Sequence, residues 1–198
     1  MKIGVFGGTF NPPHIAHLVL ADEACFQLSL DRLFWVLTAD PPHKQGRPVL
    51  ALQDRLDMLD AALASNPLFE LSRVDIDRPA PHYAVDTMLL LKESYPADEL
   101  IYLMGGDSLR DLHTWYKPRL FLEACHAIGV MRRPADQVDL PSIEQSIPGI
   151  SSKVRFIHAP LLDISATSLR ERITQGEPFR YYLPPPVYEI IRRRGLYT

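Results

Sequence analysis

Two histidines, His14 and His17, follow the pair Pro12 and Pro13, and two glycines, Gly7 and Gly8, close the short apolar run before them. Side chains three apart share one helix face, so both imidazoles can address one small volume. If that helix starts at the histidines, its free N–H groups and dipole favour an anion in the same volume. Glycine ahead of it lets the backbone approach a ligand with no side chain between. This chemistry is stabilisation of charge on a phosphate. The residues alone also allow one histidine to cap the helix while the other packs inside. A metal site is a poorer fit, because no carboxylate or cysteine nearby completes a ligand set and the spacing is not HExxH. "GGTF" is neither a Walker A loop nor a complete GxGxxG.

The elements needed to hold such a turn are legible around it. "KIGVFGG" reads as a buried strand. The helix after it should use Ile15, Leu18, Val19 and Cys25 as its apolar face. "RLFWVLTA" is a second strand, and Leu52, Leu56, Leu59 and Leu63 repeat along one face of a second helix. "FELSRVDID", "AVDTMLLLKES" and "ELIYLMGG" continue as strand, helix and strand, followed by a broken helical stretch through "SLRDLHTW" and "PRLFLEA". "HAIGVMRR" and "VRFIHA" supply two more strands, apolar enough for burial on both faces. Residues 134–150 are weakly patterned and read as a surface excursion. The expected fold class is α/β, a doubly wound Rossmann-like parallel sheet with helices on both faces. Residues 1–198 form one domain in this reading, with terminal helices in about 160–198.

Composition narrows the function. A formal net charge of −3 gives no general attraction to nucleic acid or an anionic membrane, so phosphate chemistry must rest on local cations. Neither is expected as a partner. Two cysteines without metal spacing suit a reducing compartment, and no run approaches a signal peptide or membrane span, so a cytoplasmic location is expected. The chain leaves room for a homo-oligomer without specifying one. Arg192 to Arg194 end a helix, where cations complement the dipole, and have no nucleic-acid role.

"GGTFNPPHIAHL" resembles the (H/T)xGH signature of the nucleotidylyltransferases, with Ala16 where glycine is usual; its methyl is small enough for ATP to fit. "ISATSLR" at 164–170 is similar to the second signature of that superfamily, ISxTxxR. "DPPHK", "RPAPHYAVDTM", "GGDSLRDLHTWY" and the ending "YLPPPVYEIIRRRGLY" resemble the nicotinate mononucleotide adenylyltransferase family across nearly the whole chain. The resemblance implies adenylyl transfer from ATP to nicotinate mononucleotide, with Mg²⁺ held mainly by the ATP phosphates and no metal-ligating residue.

It also implies roles. His14, His17, Lys44 and Arg170 would act on the transferring phosphates. Gly7, Gly8, Thr9, Phe10, Gly105, Asp107, Arg132, Arg133, Ser165 and Thr167 would bind ATP. Asn11, Tyr83, Thr87 and Trp115 would bind the mononucleotide. Read physically, Asp107 could accept from ribose hydroxyls or merely cap a helix, and Ser165 and Thr167 are natural N-cap residues. Trp115 could stack on a pyridine, and the N–H groups from Tyr83 to Thr87 could receive its carboxylate. Nicotinamide mononucleotide or phosphopantetheine as acceptor, or a nucleotide sensor without turnover, remain open at this point.

Overall fold

Alternating apolar residues send each strand's side chains to two opposite faces, and the helices divide accordingly. The computed structural model describes residues 1–39, 49–131, 138–160 and 162–198. Its strands are β1 (Lys2–Gly8), β2 (Arg32–Leu37), β3 (Phe69–Ser72), β4 (Glu99–Gly105), β5 (Ala127–Met131) and β6 (Val154–Ile157). The helices are α1 (Ile15–Leu28), α2 (Leu52–Leu63), α3 (Ala84–Ser94), α4 (Gly106–Arg110), α5 (Pro118–Ala124), α6 (Leu140–Ser146), α7 (Ile150–Lys153), α8 (Ala166–Thr174) and α9 (Pro185–Arg194). All the strand pairings are parallel, in the order β3-β2-β1-β4-β5-β6. This is the expected doubly wound sheet. The chain steps from β1 out through β2 and β3, then returns to place β4 on the other side of β1. The crevice beyond the carboxyl ends of β1 and β4 is therefore the topological switch point.

Ile3, Val5, Phe34, Val36 and Tyr102 face α3 and α5, whose Val85, Met88, Leu91 and Phe121 complete one core. Phe6, Leu33, Trp35, Leu37 and Leu103 face α1 and α2 on the other side. A third cluster joins Met58 and Ala62 of α2 to Leu169, Ile173, Val187 and Ile191 of α8 and α9. Thus α2 is buried on two sides: Leu59 and Leu63 point to the sheet, Met58 and Ala62 to the C-terminal helices.

Several local expectations are corrected. The buried residues of α1 are Ala16, Ala21, Ala24 and Cys25, whereas Ile15, Leu18 and Val19 are only partly buried. Small side chains bring that helix close to the sheet, which spacing of large apolar residues cannot reveal. β3 ends at Ser72, and Arg73 to Asp77 form turns closed by Ile76 and Asp77 N–H groups on the Arg73 carbonyl. β6 is an edge strand with Arg155 exposed, not a strand buried on both faces. Within the stretch read as an excursion, Asp139 caps α6 by accepting from Ser142 N–H at 3.2 Å, and Ile143, Ile147 and Ile150 enter the core. Three apolar anchors among polar residues and prolines were too sparse to register as a helical pattern.

Candidate active site

A cavity of about 740 Å³ opens at the switch point, with Gly7, Gly8, Thr9 and Thr38 on one bank. A Cβ on Gly8 would lie 2.8 Å from the Phe10 ring, and one on Gly7 would lie 3.0 Å from the Tyr102 hydroxyl. A side chain at Gly8 would thus force the Phe10 ring to move, and one at Gly7 would press on the Tyr102 hydroxyl. Phe10 itself has φ 45°, in the left-handed region, a conformation costing on the order of 1–3 kcal/mol for such a residue. Burial of its ring among Phe6, Trp35 and His17 offsets that cost. Phe10, expected on ATP, thus directs its side chain into the core and supports the turn from behind.

His14 is the N-cap of α1 and His17 its third residue, so only His17 lies within the helix. The two rings stack with centroids 3.6 Å apart, and His17 Nδ1 accepts from the His14 backbone N–H at 3.2 Å. An acceptor at Nδ1 puts the proton of the neutral ring on Nε2, where it can be donated. The capping and phosphate readings are therefore not alternatives, since one nitrogen caps and the other is a donor. Ala16 is buried in the same turn.

Arg170 in the first half of α8 donates from Nη1 to the Asn11 carbonyl at 2.9 Å and from Nη2 to Thr167 Oγ1 at 3.2 Å. Two stretches 159 positions apart, "GGTFN" and "ISATSLR", meet through this contact. Ser165 is the N-cap of α8 and accepts from Ser168 N–H at 3.1 Å. The Asn11 side chain, expected on the mononucleotide, instead accepts from the Tyr197 hydroxyl at 2.8 Å and is not part of the cavity wall. Burial pushes the Tyr197 hydroxyl pKa upward.

The opposite bank is built by Tyr83, Thr87 and Trp115, all at the cavity. Asp75 is 3 % exposed; its Oδ1 accepts from Arg78 Nη2 at 2.8 Å and from the Thr87 hydroxyl at 2.7 Å. Arg78 also donates to the carbonyls of Pro81 and Tyr83, fixing the approach to α3. Asp86 and Thr87 N–H groups both donate to the Tyr83 carbonyl, which narrows the anion-facing amides to the first helical residues, Ala84 and Val85. Tyr83 stacks on Tyr116 at 4.4 Å. Trp115 is braced by Phe121 at 5.4 Å and Tyr102 at 6.2 Å, leaving it half-buried at the cavity. Gly105 is the N-cap of α4, and Asp107 is exposed in that helix's first turn, while its neighbour Ser108 reaches the cavity. Lys44, Arg132 and Arg133 lie outside the described residues.

Sequence reasoning did not single out Arg55, Asp75, Arg78, Lys117 or Tyr197. Lys117 lines the cavity with its Nζ 4.9 Å from the Tyr116 ring centre. Arg55 is almost wholly buried, and burial pulls its guanidinium pKa down from the ordinary value. Its place on the helix, one before Leu56 and three after Leu52, was the only signal, and arginine there normally points to water.

Comparison with known proteins agrees with this geometry. A cytidylyltransferase-like family model matches residues 5–172. The probable nicotinate-nucleotide adenylyltransferase of Thermomicrobium roseum is 42% identical over 99% of this chain and 91% of its own. The nicotinate-nucleotide adenylyltransferase of Bacillus subtilis is 37% identical over 99% and 98%. Plasmodium falciparum nicotinic acid mononucleotide adenylyltransferase complexed with NaAD has the same fold, with a TM-score of 0.80 at 20% identity over 99% of this chain and 97% of that one. Shared fold, matched signatures and full-length identity place the chain in the cytidylyltransferase-like family, among the nicotinate-nucleotide adenylyltransferases.

Proposed function

We propose that the protein transfers the adenylyl group of ATP to nicotinate mononucleotide, giving deamido-NAD and pyrophosphate, a step of NAD biosynthesis. The observation that carries this is the Arg170 contact with Asn11, which joins both signatures beside a cavity whose far bank is aromatic. Names of full-length relatives support the same reading.

A phosphate oxygen of the mononucleotide attacks the α-phosphorus of ATP, and the bond from that phosphorus to the pyrophosphate oxygen breaks. The nucleophile is already anionic at neutral pH, so no general base is required. Catalysis becomes alignment and neutralisation of charge. His17 donates from Nε2, His14 holds the ring that does so, and Arg170 supplies a cation fixed on the Asn11 carbonyl ahead of α1. Lys44 adds a second cation, and Arg132 and Arg133 extend the nucleotide contact. Gly7, Gly8 and Thr9 receive the nucleotide backbone-first. Gly105, Asp107, Ser165 and Thr167 sit on the ATP side. Tyr83, Thr87 and Trp115 take the pyridine half, and Asn11 ties the first signature to Arg170 and Tyr197.

Among the described residues no group of three or more His, Cys, Asp or Glu side chains could hold a metal ion. In this proposal Mg²⁺ would be carried on the triphosphate and water, where it would neutralise charge. No helix among the described residues is long and apolar enough to cross a membrane. The test is pyrophosphate release from ATP, Mg²⁺ and either mononucleotide. Release with the nicotinate form at the higher kcat/KM supports the proposal; no release, or preference for the amide, overturns it.

A further inference from the structure

Arg55 stands in the first turn of α2 with 2 % exposure. A guanidinium carries its N–H donors in one rigid plane, and each is costly to bury unpaired. Here Nε donates to the Leu50 carbonyl at 3.2 Å, Nη1 to Thr9 at 3.2 Å and Thr38 at 2.9 Å, and Nη2 to Ala39 at 2.8 Å. Every acceptor among the described residues is a backbone carbonyl. Among the described residues no carboxylate forms an ion pair with it.

A buried charge is an expensive way to fill space; Met58 and Leu59 occupy equally buried positions of α2 without it. What the charge achieves is visible in where the acceptors come from. Thr9 follows β1, Thr38 and Ala39 follow β2, and Leu50 precedes α2. Thr9 and Thr38 both line the cavity, and Thr38 N–H already bonds the Gly8 carbonyl at 2.9 Å. The guanidinium therefore lies behind the cavity wall and fastens its two strips to each other.

We propose that Arg55 is a positioning residue for the nucleotide half of the site, setting the separation of the β1 turn and the β2 end between which ATP is received. This rests on the ATP reading given above. The function requires the fork as well as the charge: a lysine ammonium presents its donors from a single atom and cannot span the Thr9, Thr38 and Ala39 carbonyls together. It also implies independence from the pyridine bank, since Arg55 has no bond to Asp75, Tyr83, Thr87 or Trp115 among its contacts.

Three measurements on the full chain test this. Arg55→Lys is examined by thermal unfolding, ATP affinity by calorimetry, and KM for each substrate. The expected result is a cooperatively folded variant with about tenfold weaker ATP binding and roughly 10²-fold lower kcat/KM for ATP. KM for the mononucleotide stays within about twofold of wild type. In Arg55→Ala, added methylguanidinium restores part of the ATP affinity, and ethylammonium does not. Should the variants fail to fold, hydrogen exchange on the wild type decides: peptides spanning Thr9 and Thr38 should be protected before ATP is added. Unchanged ATP affinity in folded Arg55→Lys, equal losses for both substrates, or protection that arises only with ATP would overturn the proposal alone. If wild type binds no ATP, the nucleotide reading falls and takes the proposal with it.

Discussion

His17 caps α1 with one nitrogen and is proposed to act on phosphate charge with the other, and substitution can separate the two. Nδ1 accepts the His14 N–H at 3.2 Å, closing the first turn of α1. The ring is held by the stacked His14 at 3.6 Å and by Phe10 at 5.3 Å, so Nε2–H has a set direction. Removing a cap interaction costs about 1 kcal/mol. For a domain of this size that lowers Tm by about 2–4 °C. Removing a donor to developing charge costs about 10²- to 10³-fold in rate. His17→Ala should show both losses, with ATP affinity affected far less than turnover. Glutamine at the third helical position can still accept the N-cap N–H. His17→Gln should therefore recover most of the Tm and little of the turnover. Differential scanning calorimetry and steady-state pyrophosphate release on the two variants check this. If turnover in His17→Gln returns along with Tm, His17 is only a cap and the charge argument is refuted.

Trp115→Ala should weaken nicotinate and nicotinamide mononucleotides together, because stacking does not distinguish acid from amide; a collapsed ratio of kcat/KM would show that the indole reads the carboxylate. Arg194 bonds Asp54 at 2.7 Å and Asp57 at 2.6 Å, and its hydrogen bond, then that of Gln53, holds the Asp57 carboxyl below the ordinary range. A carboxyl pKa depressed in the fold stabilises above its unfolded value, near ~4, and that stability is lost as pH falls through the lower folded value. Arg194→Gln should thus lower Tm by about 2 °C at pH 7, with the gap closing below the ordinary aspartate range; a gap constant down to the most acid pH would contradict this. Burial raises the Cys25 and Cys125 thiol pKa values to about 11 and about 12, so iodoacetamide at pH 8 should modify neither in the native protein, and ready labelling would show an opening the fold does not have.

Residues acting through backbone type or period were readable; those acting through tertiary aim were not. The glycines, the histidine pair and the leucine face of α2 announce themselves by spacing, and the sheet followed from alternating apolar runs. "ISATSLR" suggested Arg170 as a phosphate ligand, but nothing in it says that the guanidinium meets the Asn11 carbonyl. Asp75 fell inside a stretch read as strand, and only the fold reveals it as 3 % exposed beneath Thr87 and bonded to Arg78. Arg55 escaped notice because a helix has two buried sides only when something packs on its outer one, and α9 is far away in sequence. Phe10 and Asn11 sit inside a recognised motif, yet their side chains hold that motif together rather than line the cavity.

β1 has one further consequence, for the order in which the protein can be made. It precedes the other strands of this sheet in the chain, yet it pairs on one side with β2 and on the other with β4, whose residues Glu99 to Leu103 register against Lys2 to Phe6. Until residue 103 is available, one side of the Gly7–Gly8 strand is an open, apolar hydrogen-bonding edge. Closing it is a long-range event, of the kind that slows folding and exposes intermediates to aggregation. A nascent chain halted before β4 therefore carries the catalytic signature but no completed crevice. The half of the molecule that holds the glycine turn completes its sheet only with a strand that arrives about a hundred residues later.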